Sequence, residues 1–449
     1  MPGPPVAPEH GPDPAVYDAA VRDLFARRPE HMHPGLERIT ALCAALGDPQ
    51  RAAPLVHLTG TNGKTSLARM ITALLGAHGL TVGTYTSPHL QDVRERIRID
   101  GLPISRQALL DALTALAAPI AAVEAARGEL VTFFETLTAL AYARFAQEDV
   151  DAAVVEVGMG GRWDATNVAA ARVAVINPIA LDHAELGRTV TAVAGEKAGI
   201  IEPGAPCVLA AQDEAAARVV RAHARALEAP LLLAGRDFAV ESCAPDRSGQ
   251  LLTLRSPRAR VPDVRLALHG QHQAANAAVA LTAADALLAD LAIVVDPEAV
   301  QRGFAAVASP GRFELVADAT RTGPVVLDGA HNPAGAAALA DTLRAELAGR
   351  RRVLVVGAMG DKDCEGILDA LLPVVDEVVA TAAPTSRAAP AARIAKLCRL
   401  AGRNAEVCED VGAALERAGA AAGDDGAVVV TGSLHLVGAA RDALGLPVL

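Results

Sequence analysis

The chain has 449 residues and a formal net charge of −11, and it is 51% hydrophobic but only 2% aromatic. A chain of this length is expected to form two or three domains, with well-buried cores built here from Ala, Val and Leu. The negative charge argues against a general binder of nucleic acid or anionic membranes, so an anionic substrate must be held by local groups.

The cysteines, the apolar segments and the lysines indicate the cellular compartment and the candidate reactive side chains. Six cysteines without a CxxC pair predict buried thiols in a reducing compartment. The chain shows no uninterrupted apolar span of membrane length and no basic-then-apolar signal at its N-terminus, so we expect a cytoplasmic protein. Four lysines stand among the 41 basic residues. Because an amine can lose its proton and a guanidinium cannot, each lysine is a candidate for chemistry.

The first predicted elements lead into a glycine-rich loop. Residues 1–14 are proline-rich and predict a disordered tail, and helices are predicted over 14–27 and 36–46. The apolar run 55–58 predicts a strand, and an amphipathic helix is predicted over 67–78. The loop between them is typical of phosphate binding and consists of Gly60, Thr61, Asn62, Gly63, Lys64, Thr65 and Ser66.

The order strand, loop, helix would place backbone N–H groups and Lys64 against the terminal phosphates of a nucleotide. The full Walker spacing is absent, because Leu58 stands where its first glycine would be. An ordinary glycine turn before a helix is therefore the alternative. The flanking strand and helix, together with a second glycine, favour phosphate binding.

A serine follows the next predicted strand, which covers 81–87. Pro88 bars a helix at this point, so Ser87 lies in a loop at the carboxyl end of a strand. Open α/β sheets bind ligands at that edge. From spacing alone, a turn residue is nevertheless the simpler interpretation of Ser87. Helices are predicted next, over 104–127 and 131–145.

Aromatic residues concentrate in one part of the chain, with six of the eleven falling between residues 85 and 163. A flat heteroaromatic ligand would use such residues, although core packing explains most of them equally well. Phe133 and Phe134 open the second of these predicted helices. Thr132 and Glu135 stand three residues apart, which is capping-box spacing, so both can be structural.

A carboxylate ends the next predicted buried strand, 151–157. Burying Glu156 without a partner would be costly. A magnesium ion is the favoured partner, in the role that a Walker-B acid plays beside a phosphate loop. An internal salt bridge is the alternative.

The buried strand 171–178 delivers Asp182 and His183 to the same edge of the sheet, and Glu196 and Lys197 follow in a predicted helix. A lysine beside a cation site would repel the metal unless its charge were reversed. Reaction of the neutral amine with carbon dioxide gives a carbamate, whose oxygens bind hard cations. The alternatives are a histidine that is only hydrogen-bonded and a surface Glu196–Lys197 pair.

The second half of the chain changes character twice. Residues 235–269 alternate apolar and polar and predict a small antiparallel sheet, and the alanine-rich helix behind it contains Asn276, for which solvent exposure is the simple interpretation. Residues 309–311 predict a linker. About five parallel strands then alternate with helices, as in a Rossmann-like sheet, with Asp328 and His331 just past the first strand.

The chain resembles the folylpolyglutamate synthase/dihydrofolate synthase group of the Mur ligases. The resemblance rests on ordered motifs from about residue 55 to the C-terminus: GTNGKTS, TSPHL, TFFE, EVGMGGRWDATN, PIALDH, EKAGI, QHQAANAA, SPGRFE, DGAHNP and GAMGDKD. It implies a P-loop NTPase-like parallel-sheet domain with a small antiparallel subdomain over 15–308, a linker at 309–311, and a C-terminal Rossmann-like α/β domain over 312–449.

The resemblance implies an ATP-dependent ligase. ATP would phosphorylate a carboxylate of dihydropteroate or a reduced folate, and the amino group of L-glutamate would attack the acyl phosphate. These substrates imply neither a nucleic-acid nor a membrane partner, and we expect a monomer. Another amino-acid ligase of the Mur family is the first alternative. A P-loop nucleotide kinase or switch is the second.

The resemblance also implies roles for residues at the nucleotide. Asn276, Arg312 and Asp328 would bind ATP together with the phosphate loop, and His331 would lie near the phosphates. One Mg²⁺ would be held by Ser87 and Glu156. A second would be held by Glu156, His183 and a carbamylated Lys197. The catalytic candidates are then Lys64, Lys197, His183 and His331.

Two segments match the pteroate-binding motifs of the family. The residues carried over from them are Thr132, Phe133, Phe134, Glu135, Trp163, Asp164 and Ala165. One departure concerns the phosphate loop, because family members often have a glycine and then a serine after the lysine. Here the lysine is followed by Thr65 and Ser66, so either hydroxyl could face magnesium.

Overall fold

The computed structural model describes residues 12–28, 34–181, 184–246, 248–317 and 323–449. Most of the predicted tail lies outside these ranges, as does His183. The described chain begins just before a helix whose first turn is capped by Asp13, which accepts a hydrogen bond from the amide of Ala15 at 2.9 Å.

The described residues before the predicted linker form nine α-helices and eleven strands. The helices are α1 Pro14–Ala26, α2 Glu37–Ala45, α3 Lys64–Ala77, α4 Arg106–Arg127, α5 Phe133–Gln147, α6 Val190–Ala198, α7 Glu214–Ala226, α8 Gln271–Asp290 and α9 Pro297–Ala305. The strands are β1 Leu55–Thr59, β2 Val82–Tyr85, β3 Ile97–Ile99, β4 Leu102–Pro103, β5 Ala152–Glu156, β6 Val173–Ile176, β7 Cys207–Leu209, β8 Leu231–Leu233, β9 Ala239–Asp246, β10 Gly249–Arg255 and β11 Arg260–Leu266.

The described residues after the linker form six strands and five α-helices. The strands are β12 Glu314–Val316, β13 Val325–Leu327, β14 Arg352–Val356, β15 Glu377–Ala380, β16 Ala405–Val407 and β17 Ala427–Thr431. The helices are α10 Pro333–Glu346, α11 Cys364–Leu371, α12 Ala391–Leu400, α13 Val411–Ala422 and α14 Leu434–Ala443.

The first large sheet has eight strands in the order β4-β3-β2-β5-β1-β6-β7-β8. All five residues of β1 are buried, as expected for a central parallel strand covered on both faces. Its register pairs Leu58 with Glu156 of β5 and Thr59 with Ile176 of β6. The carboxyl ends of these three strands therefore lie side by side, which brings together loops that are far apart in the sequence.

Helices cover both faces of this sheet. On one face, Leu67 and Met70 of α3 pack with Leu281 of α8 and with the small sheet β11-β10-β9. On the other face, α4 and α5 contribute Leu109 and Leu137 to a second cluster. The small sheet is antiparallel, which confirms the prediction for residues 235–269.

The second large sheet has six strands in the order β12-β13-β17-β14-β15-β16. Five of them are parallel, which confirms the Rossmann-like prediction. The sixth, β12, is an antiparallel edge strand that the sequence did not predict. Asp328 follows β13, and Gly432 and Ser433 follow β17, so both loops open at the same edge.

Three other features differ from the predictions. Behind Ser87, where the sequence predicts no strand, β3 and β4 form an antiparallel edge of the first sheet. Cys243 is exposed, so the expectation that all cysteines are buried was wrong. Among the described helices, α4 alone is long and apolar enough to cross a membrane by length and composition, and four of its residues are buried in the core of this domain.

Candidate active site

A cavity of about 550 Å³ lies between the two sheets, at their facing carboxyl edges. Its walls include the phosphate loop, β5, α8 and the loop after β13. A second cavity of about 520 Å³ adjoins it. The linings of the two cavities have five residues in common: Ser87, Pro88, Gly158, His331 and Leu434. The two spaces therefore meet at one junction between the domains.

The phosphate loop has the backbone shape that the sequence predicted. Gly63 has a φ of 80° and is the N-cap of α3. A Cβ atom there would lie 2.7 Å from the side-chain Nδ2 of Asn177. Only glycine fits this position without strain. The ammonium group of Lys64 lies over the loop and donates to the carbonyls of Gly60 and Thr61 at 3.0 and 3.3 Å. Loop, helix N-terminus and lysine together form a cradle for an anion.

Glu156 is 1% exposed at the end of β5, beside this cradle. Its carboxylate accepts hydrogen bonds from the hydroxyl of Thr65 at 3.0 Å and from the amide of Ser87 at 3.2 Å. Burial raises the pKa of Glu156, and the charge of Lys64 opposes that rise. Its hydrogen-bond partners are a hydroxyl and an amide rather than a cation, so the described residues do not form the alternative internal salt bridge.

The two hydroxyls after Lys64 face different surroundings. Thr65 faces Glu156, as described above. Ser66 is fully buried, and its hydroxyl lies 3.1 Å from that of Ser309 and accepts a hydrogen bond from Gln273 at 3.3 Å. Thr65 is therefore the hydroxyl beside the carboxylate, and Ser66 is directed toward the linker between the domains.

Lys197 reaches the same loop from α6. It is 4% exposed, and its ammonium group donates to the carbonyl of Gly60 at 2.9 Å. The alternative of a surface Glu196–Lys197 pair is therefore wrong. Among the described residues, no group of three or more His, Cys, Asp and Glu side chains is arranged to hold a metal ion. His183, which the resemblance adds to this set, lies outside the described ranges.

On the far side of the cavity, α8 presents a buried amide. Asn276 is 5% exposed, so the interpretation as a solvent-exposed helix residue was wrong. Its side-chain oxygen accepts a hydrogen bond from Asn177 at 3.0 Å, and its side-chain nitrogen donates to Gln273 at 3.1 Å. These bonds fix the amide at the cavity wall.

The second domain contributes charged groups to the same cavity. Asp328 accepts hydrogen bonds from the amides of Phe313 and Ala330, each at 2.8 Å. Burial raises the pKa of Asp328, and the charge of Arg312 opposes that rise. Burial also lowers the pKa of Arg312. His331 lies at the junction of the two cavities, with Nδ1 2.8 Å from the carbonyl of Gly329.

The second cavity holds all of the residues that the resemblance assigned to pteroate binding, from Thr132 to Glu135 and from Trp163 to Ala165. Thr132 and Glu135 form the predicted capping box of α5, and Glu135 also pairs with Arg38 at 3.0 Å. The side-chain polar groups of both residues are therefore used within the protein.

The aromatic residues of this cavity divide in the same way. The ring of Phe133 stacks on Phe25, with centroids 5.1 Å apart. Phe134 is only partly buried and lies against Gly158, where a Cβ atom would be 2.4 Å from its ring. Of the pair, Phe134 is thus the one whose surface remains available at the cavity wall.

Four arginines in this cavity were not predicted as site residues: Arg28, Arg38, Arg96 and Arg387. Arg38 is already paired with Glu135, which leaves the other three to face a ligand. Arg28 lies 4.4 Å from the ring centroid of Phe25, and Arg96 lies 5.1 Å from that of Phe133. Burial lowers the pKa of Arg96, which donates to His89 at 2.9 Å. They come from separate parts of the chain, so no local motif marked them. Together they suit an anionic ligand.

Known families match both domains. The Mur ligase middle domain matches residues 58–284, and the glutamate ligase domain of Mur ligases matches residues 311–434. The dihydrofolate synthase/folylpolyglutamate synthase of Mycobacterium tuberculosis is 42% identical over 94% of this chain and 92% of its own length. The Bacillus subtilis protein of the same name is 33% identical over 96% and 99%.

Solved structures match over nearly the whole chain. M. tuberculosis folylpolyglutamate synthase complexed with ADP and AMPPCP has a TM-score of 0.91 at 41% identity, over 97% of this chain and 100% of that one. Escherichia coli FolC in complex with DHPP and ADP has a TM-score of 0.84 at 30% identity, over 96% and 97%.

Proposed function

The chain belongs to the Mur ligases, within their folylpolyglutamate synthase and dihydrofolate synthase group, and we propose that its paired cavities hold ATP and a pteroate or folate for ligation to L-glutamate. Its activity is that of an ATP-dependent ligase. The observation that carries the proposal is the junction of the cavities, where the phosphate loop side and the aromatic, arginine-rich side meet at Ser87 and His331.

The reaction proceeds in two steps. In the first step, an oxygen of the acceptor carboxylate attacks the terminal phosphorus of ATP, and ADP leaves. In the second step, the amino group of glutamate attacks the acyl carbon, and the tetrahedral intermediate expels phosphate as the amine loses a proton. The products are an amide, ADP, phosphate and a proton.

The charged residues have separate tasks in this scheme. Lys64 and the amides at the start of α3 bind the terminal phosphates, where negative charge grows in the first step. Arg312 supplies positive charge from the second domain across the same cavity. The cluster Arg28, Arg96 and Arg387 binds carboxylates in the second cavity. Contact between the domains keeps water from the acyl phosphate.

The donor set beside the phosphate loop fits a hard divalent cation. Glu156 is a buried carboxylate that accepts hydrogen bonds from the hydroxyl of Thr65 and the backbone amide of Ser87. All three residues have side-chain oxygen atoms, the ligands that Mg²⁺ prefers. They would hold one Mg²⁺, and Glu156 with His183 and a modified Lys197 would hold a second. The ion would neutralise charge on the phosphates during transfer.

We infer that the modification of Lys197 is a carbamate. The neutral amine would attack carbon dioxide, forming an N–C bond and releasing one proton. Two observations support this: Lys197 is buried, and its amine lies at the carbonyl of Gly60 in the phosphate loop. An ammonium there would repel a metal ion, whereas a carbamate would bind it.

A substitution tests the carbamate. Lys197→Ala should lose ligation more than about 100-fold, because a ligand at the site of charge transfer is removed, and added acetate or formate should restore part of the rate. The matched control is Lys396→Ala on α12, whose side chain is exposed and remote from both cavities. Full activity of Lys197→Ala without added carboxylate would contradict the role.

The ligase activity itself is tested by ADP release. Release should require L-glutamate together with dihydropteroate or a reduced folate, and each acceptor tried separately shows which one this chain uses. ADP release that needs neither glutamate nor a pterin would contradict the function.

We also infer that the chain acts as a monomer in the cytoplasm, since one chain lines both cavities and all six cysteines are free thiols.

A further inference from the structure

A pair of amides joins the phosphate loop to the second domain. The side-chain nitrogen of Asn332 donates to the side-chain oxygen of Asn62 at 2.9 Å, and the nitrogen of Asn62 donates back to the oxygen of Asn332 at 3.2 Å. The two residues are 270 positions apart in the chain. Asn332 is 3% exposed, so this reciprocal pair is largely shielded from water.

Asn332 is held rigidly on its own side. It is the N-cap of α10, where its side-chain oxygen also accepts the amide of Gly335 at 2.8 Å. Pro333 follows at the first helical position, which pre-organises the turn. The side chain of Asn332 is therefore fixed by its helix before it meets the loop, as a positioning contact requires.

Asn62 also belongs to a longer network of side-chain hydrogen bonds within the first domain. Its backbone carbonyl accepts a hydrogen bond from Asn177 at 3.0 Å, and the same amide group of Asn177 donates to Asn276. Asn276 donates a hydrogen bond to Gln273, and Gln273 donates one to Ser66 at the other end of the loop. The loop is thus braced from its own domain at both ends, while Asn332 braces its tip from the second domain.

We propose that Asn62 and Asn332 are positioning residues that make the phosphate loop competent for nucleotide only when the second domain is docked against it. This inference rests on the proposed function for its consequence, which is that ATP is held firmly only where the glutamate ligase domain is in place. The coupling is reciprocal, so bound nucleotide also favours docking.

The test compares binding of the non-hydrolysable analogue AMPPCP among variants of the full chain. Asn62→Ala removes one partner. Asn332→Ser removes the reach to the loop but leaves a residue that caps helices well, so α10 is kept. Asn332→Thr is a second capping variant. Asp341→Asn, on the exposed side of α10, is the matched control.

Each single variant should weaken AMPPCP binding about five- to tenfold, as expected for two neutral hydrogen bonds. The double variant should be no weaker than the weaker single, because both lose the same contact. Thermal unfolding midpoints should match those of Asp341→Asn. A double variant whose loss equals the product of the single losses, or an Asn332 variant that binds like the parent, would overturn the proposal.

Catalysis supplies the second readout. The KM for ATP should rise in the Asn62 and Asn332 variants by about the same factor as the analogue affinity falls, with kcat at saturating ATP changed far less. A fall in kcat with an unchanged KM would overturn the positioning role. Because AMPPCP binding needs no turnover, failure of the parent to ligate glutamate would count against the proposed function alone.

Discussion

The hydroxyl of Thr65 faces the buried carboxylate beside the phosphate loop, and the hydroxyl of the neighbouring Ser66 does not. Thr65 donates to Glu156, whereas Ser66 is bonded to Ser309 and Gln273. The sequence did not decide which of the two hydroxyls faces the carboxylate, because both directly follow the loop lysine. The turn of α3 separates them by about 100° around the helix axis, so only one can face the carboxylate.

This separation predicts unequal effects of two substitutions. Thr65→Val keeps the shape of the side chain and removes the hydroxyl, so kcat/KM should fall at least about tenfold and the Mg²⁺ requirement should rise. Ser66→Ala should stay within about threefold of the parent, as expected for loss of a neutral hydrogen bond away from the phosphates. Steady-state rates over a Mg²⁺ titration measure both, and the opposite ranking would contradict the assignment.

A buried histidine holds the loop that carries Asp164. The Nε2 atom of His57, in β1, lies 2.8 Å from the hydroxyl of Thr166, which donates to Asp164 at 2.5 Å. Asp164 in turn accepts the amide of Met159 at 2.8 Å. Burial lowers the pKa of His57 from 6.5 to about 3. The ring is therefore neutral in the folded protein at physiological pH.

This histidine predicts a pH dependence of stability. Below pH 6.5 the unfolded chain binds a proton at His57, whereas the folded chain binds it only below about pH 3. The folded state therefore loses stability as the pH falls through this window. Between pH 6.5 and 5 the parent should lose about 2 kcal/mol more than His57→Gln. Urea unfolding at both pH values measures the difference, and a difference that does not change with pH would contradict the burial of a neutral ring.

At the scale of elements, the helix α5 shows how a motif residue can serve the fold. The hydroxyl of Thr132 accepts the amide of Glu135 at 3.2 Å, and the carboxylate of Glu135 accepts the amide of Thr132 at 2.8 Å. Both residues also belong to the segment that resembles a pteroate site. Their side-chain hydrogen bonds hold the start of the helix, which positions Phe134 at the cavity.

Substitution at the cap separates these roles. Thr132→Ala should lower the free energy of unfolding by about 1 kcal/mol, because an N-cap hydroxyl is lost. Thr132→Ser restores the cap and should restore the stability. Denaturant unfolding of the two variants provides the comparison. Equal stability of Thr132→Ala and the parent would show that the capping bond contributes nothing.

The spacing of apolar residues and the positions of Gly and Pro predicted most elements with bounds near those observed. The parallel strands were found because they are continuous apolar runs. The loop, the α5 cap and the small antiparallel sheet followed from local spacing alone. The strands β3, β4 and β12, which were missed, are antiparallel strands of two or three residues at the edges of the sheets. Such strands exist only through pairing with a neighbour, and pairing leaves no local signal.

The candidate site was predictable where the chain marks it locally. Glu156 and Lys197 stood out as a charge ending a buried strand and as a rare lysine, and the structure buries both of them beside the loop. Arg28, Arg96 and Arg387 could not be found in this way. In a chain with 41 basic residues, nearly all arginine, only the fold brings these three, with Arg38, to one cavity.

At the scale of the whole molecule, the site exists only between the domains. The first sheet supplies the phosphate loop and Glu156, and the second supplies Asp328 and His331. Each set lies at the carboxyl edge of its own sheet, where open α/β folds bind ligands. In the proposed reaction, the facing edges would place the nucleotide next to the acceptor, and this proximity would supply much of the rate.

The most direct test of this account follows oxygen from the acceptor to phosphate. The acceptor carboxylate, in dihydropteroate or a reduced folate, is labelled with ¹⁸O and incubated with the protein, ATP, Mg²⁺ and L-glutamate, and the released phosphate is analysed by mass spectrometry. If the carboxylate is phosphorylated in the gap between the domains, one labelled oxygen appears in each phosphate formed with a glutamyl product. Unlabelled phosphate accompanying that product would contradict the account.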